Sequence, residues 1–415
     1  MGEWKEYKLG ELMEITSSKR IFYSEYVPSG VPFYRSKEII DLYNKRNVST
    51  ELFISEQRYN EIKEKFGVPQ EDDILLTSVG SLGIPYRVKS NDCFYFKDGN
   101  LTWFKDIDKK RVLPEYLMCW LTSNFGKQKL DEITIGSTQA ALTISGLKTI
   151  SIELPTIEYQ RRIASILTSL DDKIDLLRRE NATLEAMAET LFRQWFVVEA
   201  KEEWEEGKLG DYVDETIGGE WGKENPEGDF IKPVQCIRGT DIADLNVGLA
   251  TKTPIRYVKE SKFEKIEPRN GDIIMEISGG TENQSTGRVA YINDDVKTLF
   301  DYPIIFSNFC RLLRVKEEHT YFIYCYLKYL YDQDEFFNLE NGSSGIKNLD
   351  YKALLYELTY PIPNDRQQIL DFNDKVGVYF EKINRNKQQI QTLIQTRDGL
   401  LPRLMGGEIC SVGCK

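Results

Sequence analysis

The chain has 415 residues, 41% of them apolar and 12% aromatic, enough to fill cores in two or three domains. Against 54 Lys and Arg stand 66 Asp and Glu, so a net charge of −12 repels an anionic polymer, and any nucleic-acid role must rest on local patches. Seven scattered cysteines without a C-x-x-C pair argue against a disulfide framework or a thiolate metal site, and the single histidine, His319, excludes a multi-histidine metal centre within this chain.

In chain order, residues 1–155 read as a mixed domain, with strands at Asp73-Ile74-Leu75-Leu76-Thr77 and Leu101-Thr102-Trp103-Phe104 and helix around 114–132. Pro155 introduces a long helix, 156–199, with Thr156 as the expected N-cap. Residues 200–363 read as a second mixed domain, with a strand at Gly271-Asp272-Ile273-Ile274-Met275 and helix around 320–340. Pro363 introduces a second long helix, 364–405, with Asn364 as its expected cap, and 406–415 form a tail without a reading. The fold class is α/β in the mixed α+β sense: two tandem domains with mostly antiparallel sheets, separated by two long helices. Tyr321 to Tyr331 is the longest membrane-span candidate, but Lys328 interrupts it and it is too short to cross a bilayer. The start, Met1-Gly2-Glu3-Trp4-Lys5, has no apolar signal core, and the expected location is cytoplasmic.

The second half of the chain repeats the first. Glu3-Trp4-Lys5-Glu6-Tyr7-Lys8-Leu9-Gly10 recurs as Glu203-Trp204-Glu205-Glu206-Gly207-Lys208-Leu209-Gly210, and Tyr34-Arg35-Ser36-Lys37-Glu38-Ile39 is echoed by Ile237-Arg238-Gly239-Thr240-Asp241-Ile242. Further matches keep the same order, so the chain is a tandem duplication and not a solenoid. The halves differ most at 57–65 and 218–228, where insertions are expected to form loops.

Each long helix carries a heptad seam. In the first it is Ile163, Leu167, Leu170, Ile174, Leu177, Asn181, Leu184, Ala188, Leu191 and Trp195. In the second it is Phe372, Val376, Tyr379, Ile383, Asn386, Ile390, Leu393, Arg397, Leu400 and Leu404, offset by 209 at every position. One amphipathic helix cannot bury its own stripe, so each seam needs a partner, and its copy is the natural one. In an antiparallel register pairing Ile163 with Leu404, Asn181 meets Asn386 in one polar layer, which penalises shifted registers. Arg397 faces Leu170 in that register, and its head is expected to escape to solvent. Two seams of this length make a rod of about 48 Å.

Catalytic patterns are missing. There is no phosphate-binding loop, no dinucleotide fingerprint and no Asn/Asp-Pro-Pro-aromatic tetrad; Asp41 with Glu61-Ile62-Lys63 fits a metal-dependent nuclease only as loosely as chance allows in so charged a chain.

Taken with Leu154-Pro155…Gln160-Arg161-Arg162-Ile163, Thr190-Leu191-Phe192-Arg193-Gln194-Trp195, Ile362-Pro363…Gln367-Gln368-Ile369 and Leu400-Leu401-Pro402-Arg403-Leu404-Met405-Gly406-Gly407, the chain resembles the specificity subunit of type I restriction–modification systems over nearly its whole length. It departs in carrying Tyr159 and Arg366 where a glutamate usually precedes the helix glutamine. The resemblance implies a non-catalytic subunit. Each domain, a target recognition domain, would read one half of a bipartite asymmetric site in double-stranded DNA, and the paired helices would set the gap and dock two adenine methyltransferase subunits. It implies no cofactor in this chain, with S-adenosylmethionine, ATP and Mg in the modification and restriction/translocase subunits.

Base reading needs hydrogen-bonding side chains on exposed loops, and backbone gripping needs cations or free N–H groups. In the first domain the candidates are Lys19, Arg20, Tyr34, Arg35, Lys37, Thr77, Ser78, Ser81, Ser137, Thr138 and Gln139. In the second they are Arg238, Thr240, Ser278, Thr281, Asn283, Gln284, Arg288, Ser343, Ser344 and Lys347. The alternative is a two-domain coiled-coil scaffold that binds no DNA.

Overall fold

The computed structural model describes residues 4–45, 48–136, 140–248, 253–281, 284–342 and 347–406. The chain divides into two units, Met1–Asp175 with Gln395–Lys415, and Leu176–Ile394. Both long helices therefore contribute a segment to each unit.

In the first unit, the strand Lys5–Lys8 pairs antiparallel with Ser151–Leu154, Lys5 opposite Leu154, so the two ends of the domain are zipped together where the chain enters the first long helix. A four-stranded antiparallel sheet has the order Glu14–Thr16, Leu101–Lys105, Ile74–Thr77, Pro85–Arg87. Its inner strand Ile74–Thr77 is buried along its whole length. A smaller sheet runs Tyr26–Val27, Phe53–Ile54, Val31–Tyr34, Tyr95–Phe96, and only its last pair is parallel. The helical stretch after residue 113 is two helices, Pro114–Thr122 and Asn124–Glu132, broken where the Ser123 hydroxyl accepts the Gly126 N–H at 3.1 Å. Gly126 is needed there because a Cβ would run into the Trp120 carbonyl. Residues 57–65 do not form the expected loop. They lie inside the helix Glu56–Phe66, capped by Ser55 and anchored by fully buried Ile62, so the apparent insertion is an amphipathic element with a polar face.

The second unit repeats this plan. Glu205–Gly207 pairs antiparallel with Tyr360–Ile362, a four-stranded antiparallel sheet runs Val213–Gly218, Cys310–Val315, Ile273–Glu276, Val289–Tyr291, and a three-stranded sheet runs Ile255–Val258, Lys232–Ile237, Ile304–Phe306 with the last pair again parallel. Short strands Ser278–Gly279, Lys347–Leu349 and Glu340–Asn341 add a third sheet. Helix Thr320–Asp332 buries eight side chains, but it does not continue to 340 as the sequence suggested: Asp334 takes a left-handed φ of 61° and the chain turns through Glu335–Leu339 into a strand.

The long helices run Ile157–Arg193 and Arg366–Met405. Every one of the twenty seam side chains is buried or half-buried. In the first unit Ile163, Ala164 and Leu167 share a core with Leu404 and Met405, with Leu400 and Leu401 packed against it. In the second unit the Asn386 side-chain amide donates to the Asn181 carbonyl oxygen at 2.8 Å and to Glu180 at 2.9 Å. Residue numbers thus fall along one helix as they rise along the other, which is an antiparallel pairing. Two local expectations need correcting. Arg397 does not escape to solvent: its guanidinium is held by Asp171 at 2.8 Å and Asp398 at 2.7 Å, because a nearby carboxylate offers charge-assisted bonds that compete with water. Asn364 does not cap the second helix. It latches the first strand of its domain, accepting from the Glu205 N–H at 2.9 Å and donating to the Glu203 carbonyl at 3.1 Å, while Asp365 accepts from the Gln367 N–H at 2.9 Å.

Each helix also grips its own domain. Gln160, fully buried, accepts the Leu113 N–H at 2.9 Å and donates to the carbonyls of Arg111 at 2.8 Å and Pro155 at 2.9 Å, so one amide ties the helix start to the loop before Pro114. The position 209 residues on is Ile369, equally buried, where an apolar contact replaces the amide. On the second helix, Asn373 accepts from the Tyr321 N–H at 2.9 Å and Asn384 accepts from the Tyr291 hydroxyl at 2.6 Å. Among the described residues no helix is long and apolar enough to cross a membrane.

Candidate nucleic-acid interface

In both domains a strand of the smaller sheet ends in an arginine that starts a helical turn. The Arg35 N–H donates to Glu38 at 2.8 Å and its guanidinium pairs with the same carboxylate at 3.0 Å. Arg238 does the same to Asp241, through its N–H at 2.9 Å and its guanidinium at 2.8 and 2.9 Å. Both carboxylates are buried and both arginines stay partly exposed. These pairs push the guanidinium pKa values up, chiefly through the hydrogen bond to the acid, so each arginine is a fixed cation at a strand end. The acid three residues on stands in both copies of the repeat, and that spacing is its signal in the sequence.

In the first domain the structure gathers several candidates around this turn. Lys19 donates its N–H to the Tyr95 hydroxyl at 2.7 Å, Arg20 pairs with Asp98 at 2.7 Å while staying 66% exposed, and the Lys97 N–H donates to the Tyr34 carbonyl at 2.9 Å. Tyr34 itself is stacked on Phe94 at 4.6 Å, and burial, then Asp92 and Glu38, raise its pKa. Lys37 and Ser81 are exposed. Thr77 and Ser78 are not on the surface. Thr77 is fully buried and accepts the Ile84 N–H at 2.9 Å, while the Ser78 hydroxyl lies 2.6 Å from that of Thr102, so both hydroxyls are spent inside the domain. Ser137, Thr138 and Gln139 lie outside the described residues.

The second domain builds its cluster on a residue that carries no mark in the sequence. Glu276, 2% exposed, ends an inner strand and receives Arg288 through two bonds of 2.7 and 2.9 Å. A Cβ at Gly239 would strike the same carboxylate, so the turn after Arg238 packs directly on it. Ser278 sits in the short strand that pairs with Lys347 and Asn348, and Lys347 pairs with Glu340 at 2.8 Å. Burial alone would raise the carboxyl of Glu340, but hydrogen bonds from Lys347 and Thr286 hold it below the usual range. Arg238, Ser278, Arg288 and Lys347 are thereby brought into one region, though Arg288 faces inward and braces it. Thr240, Thr281 and Gln284 are exposed. Asn283, Ser343 and Ser344 lie outside the described residues.

Two similar, non-identical α+β domains with arginine-bearing turns, each followed by one of two antiparallel helices, define a tandem recognition protein. The family model for the type I restriction modification DNA specificity domain matches residues 1–186 and again 201–392, and the chain belongs to that family. Among known relatives it is 27% identical over 438 residues to the Type I restriction enzyme MjaIX specificity subunit of Methanocaldococcus jannaschii, covering 98% of this chain and 94% of that one. It is 30% identical over 168 residues to the putative type I restriction enzyme specificity subunit S.HindORF215P of Haemophilus influenzae, covering 40% of each chain. The crystal structure of a type I restriction-modification system S subunit from M. genitalium has the same fold, with a TM-score of 0.56 at 17% identity over 97% of this chain and 96% of the other.

Proposed function

We propose that this chain is the DNA-reading specificity subunit of a type I restriction–modification complex. Each domain reads one half of a bipartite, asymmetric site in double-stranded DNA, the paired helices fix the gap between the halves, and two methyltransferase subunits dock on the assembly. The observation that carries the reading is the duplicated strand-end arginine, Arg35 and Arg238, held on a buried acid in both members of a pair of family domains. Because the two domains differ in their loops, the site they read is not a palindrome.

The chain itself supplies the address and no chemistry. S-adenosylmethionine, ATP and Mg belong to the methyltransferase and restriction/translocase partners, and the assembly works in the cytoplasm. A titration of salt against duplex binding, with the purified chain and its methyltransferase partner, tests the reading. Affinity should fall steeply and log-linearly with salt, as counterion release requires. A flat response, or no binding, would favour the scaffold that ignores DNA.

A further inference from the structure

Two of the most exposed large side chains in the first domain are neighbours, Phe22 at 63% and Tyr23 at 88%. Their loop is not slack. The Phe22 N–H donates to Glu25 at 2.7 Å, and Glu25 in turn holds Arg58 at 2.7 Å. Upstream, the backbone of Lys19 and the side chain of Arg20 are tied to Tyr95 and Asp98. Below the tip, Tyr23 meets Tyr26 edge to face at 6.1 Å, and Tyr26 rests on core Phe33 at 5.3 Å. A segment pinned at both ends and presenting two adjacent aromatic rings to water forms a small apolar patch with a polar rim, the kind of surface that marks an interaction site.

We infer that Phe22 and Tyr23 form an aromatic wedge that stacks against a base step of the first DNA half-site. The inference rests on the DNA-reading function proposed above and adds a contact to it. The occupant is duplex DNA because two exposed cations precede the rings in the same loop: Arg20, 66% exposed although paired with Asp98, and Lys19, whose ammonium lies 5.2 Å from the ring centre of half-exposed Phe66. Cations beside exposed rings grip phosphate while the rings meet bases, the division of labour that aromatic and apolar wedges use in nucleic-acid binding. The tip also adjoins the interface region, since its anchor Tyr95 lies in the strand that pairs with Val31–Tyr34, opposite Phe33, and its anchor Asp98 follows two residues after that strand ends opposite Tyr34, the neighbour of Arg35. Among the described residues of the second domain, the cations set over Phe230, Lys223 and Lys259, are paired with Glu227 and Asp229.

The test uses the full chain with its methyltransferase partner on a duplex carrying the sequence the complex methylates. Phe22→Ala with Tyr23→Ala should weaken binding roughly 10- to 100-fold, as loss of base stacking does. The salt slope should stay as in the wild type, because neither ring releases a counterion, whereas Arg20→Ala should reduce it by about one. Phe22→Trp with Tyr23→Phe should keep near wild-type affinity. In the wild-type complex, 5-bromouracil placed across the first half-site should photo-crosslink to the tip. Unchanged affinity in the double variant, or crosslinks that all fall elsewhere, overturns the wedge while salt-sensitive binding leaves the DNA-reading function standing. A double variant that loses only its methyltransferase assigns the tip to a protein partner and also overturns it. A wild-type complex without salt-sensitive binding removes both ideas.

Discussion

At the scale of single residues, polarity in this chain is a poor guide to exposure. Thr77 and Ser78 look like a binding loop in sequence, yet Thr77 ends an inner strand, Ser78 follows directly, and both hydroxyls complete internal bonds. The matching places of Arg35 and Arg238 at strand ends were legible because duplication marks them twice, while Glu276 has no such marker and its contacts depend on packing that brings three segments together. Lys387 shows the same limit. It is 3% exposed on the second long helix, with its ammonium over the Tyr291 ring at 5.7 Å. Burial lowers its pKa to about 8, with Lys328 pushing the same way and Glu185 opposing. The unfolded chain then holds a proton that the folded chain gives up between pH 8 and the ordinary lysine value of 10.5, so this residue adds stability as pH climbs through that window. Lys387→Met should raise the thermal midpoint at pH 7 by several degrees, since replacing a buried charge by an apolar side chain of similar size is worth about 1–4 kcal/mol. Its advantage over the wild type should shrink between pH 8 and pH 10, and melts across that range check both statements.

Among elements, the long helices were the most legible part of the chain, because a 3.5-residue apolar repeat has one physical use and the asparagines mark its register. Their ends were less so. The two prolines announced both helices, but the helix cap shifted from Asn364 to Asp365 once a neighbouring strand offered Asn364 better partners. The asparagine layer makes a measurable claim. Asn386 donates to both Asn181 and Glu180, and Asn181 and Asn386 are buried, so Asn386→Leu alone should leave Asn181 unsatisfied at a cost of about 1–3 kcal/mol. Replacing both asparagines by leucine should recover most of that loss, since an apolar layer has nothing to satisfy. A double-mutant cycle by denaturant unfolding would read the coupling, and two additive losses would show that the amides act independently.

For the molecule as a whole, charge gave the least direct clue. Residues 1–155 carry 21 basic and 22 acidic side chains, net −1, and residues 200–363 carry 19 and 30, net −11. Neither domain is a basic block, so any grip on an anionic duplex must come from a few placed cations, and the duplication marks one such position, a strand-end arginine, in each domain. The division into two readers and a spacer has consequences that can be separated. Exchanging residues 1–155 for a relative's domain should change one half of the methylated motif and leave the other half as it was. Removing seven residues from each helix seam preserves the heptad phase, so the pairing survives and only length is lost. Seven residues at 1.5 Å each amount to about 10 Å, or roughly three base pairs at 3.4 Å. The methylated sequence of such a variant, mapped genome-wide, should keep both half-sites and shorten the gap between them by about that many base pairs. An unchanged gap with both halves intact would mean that something other than the helices sets the distance.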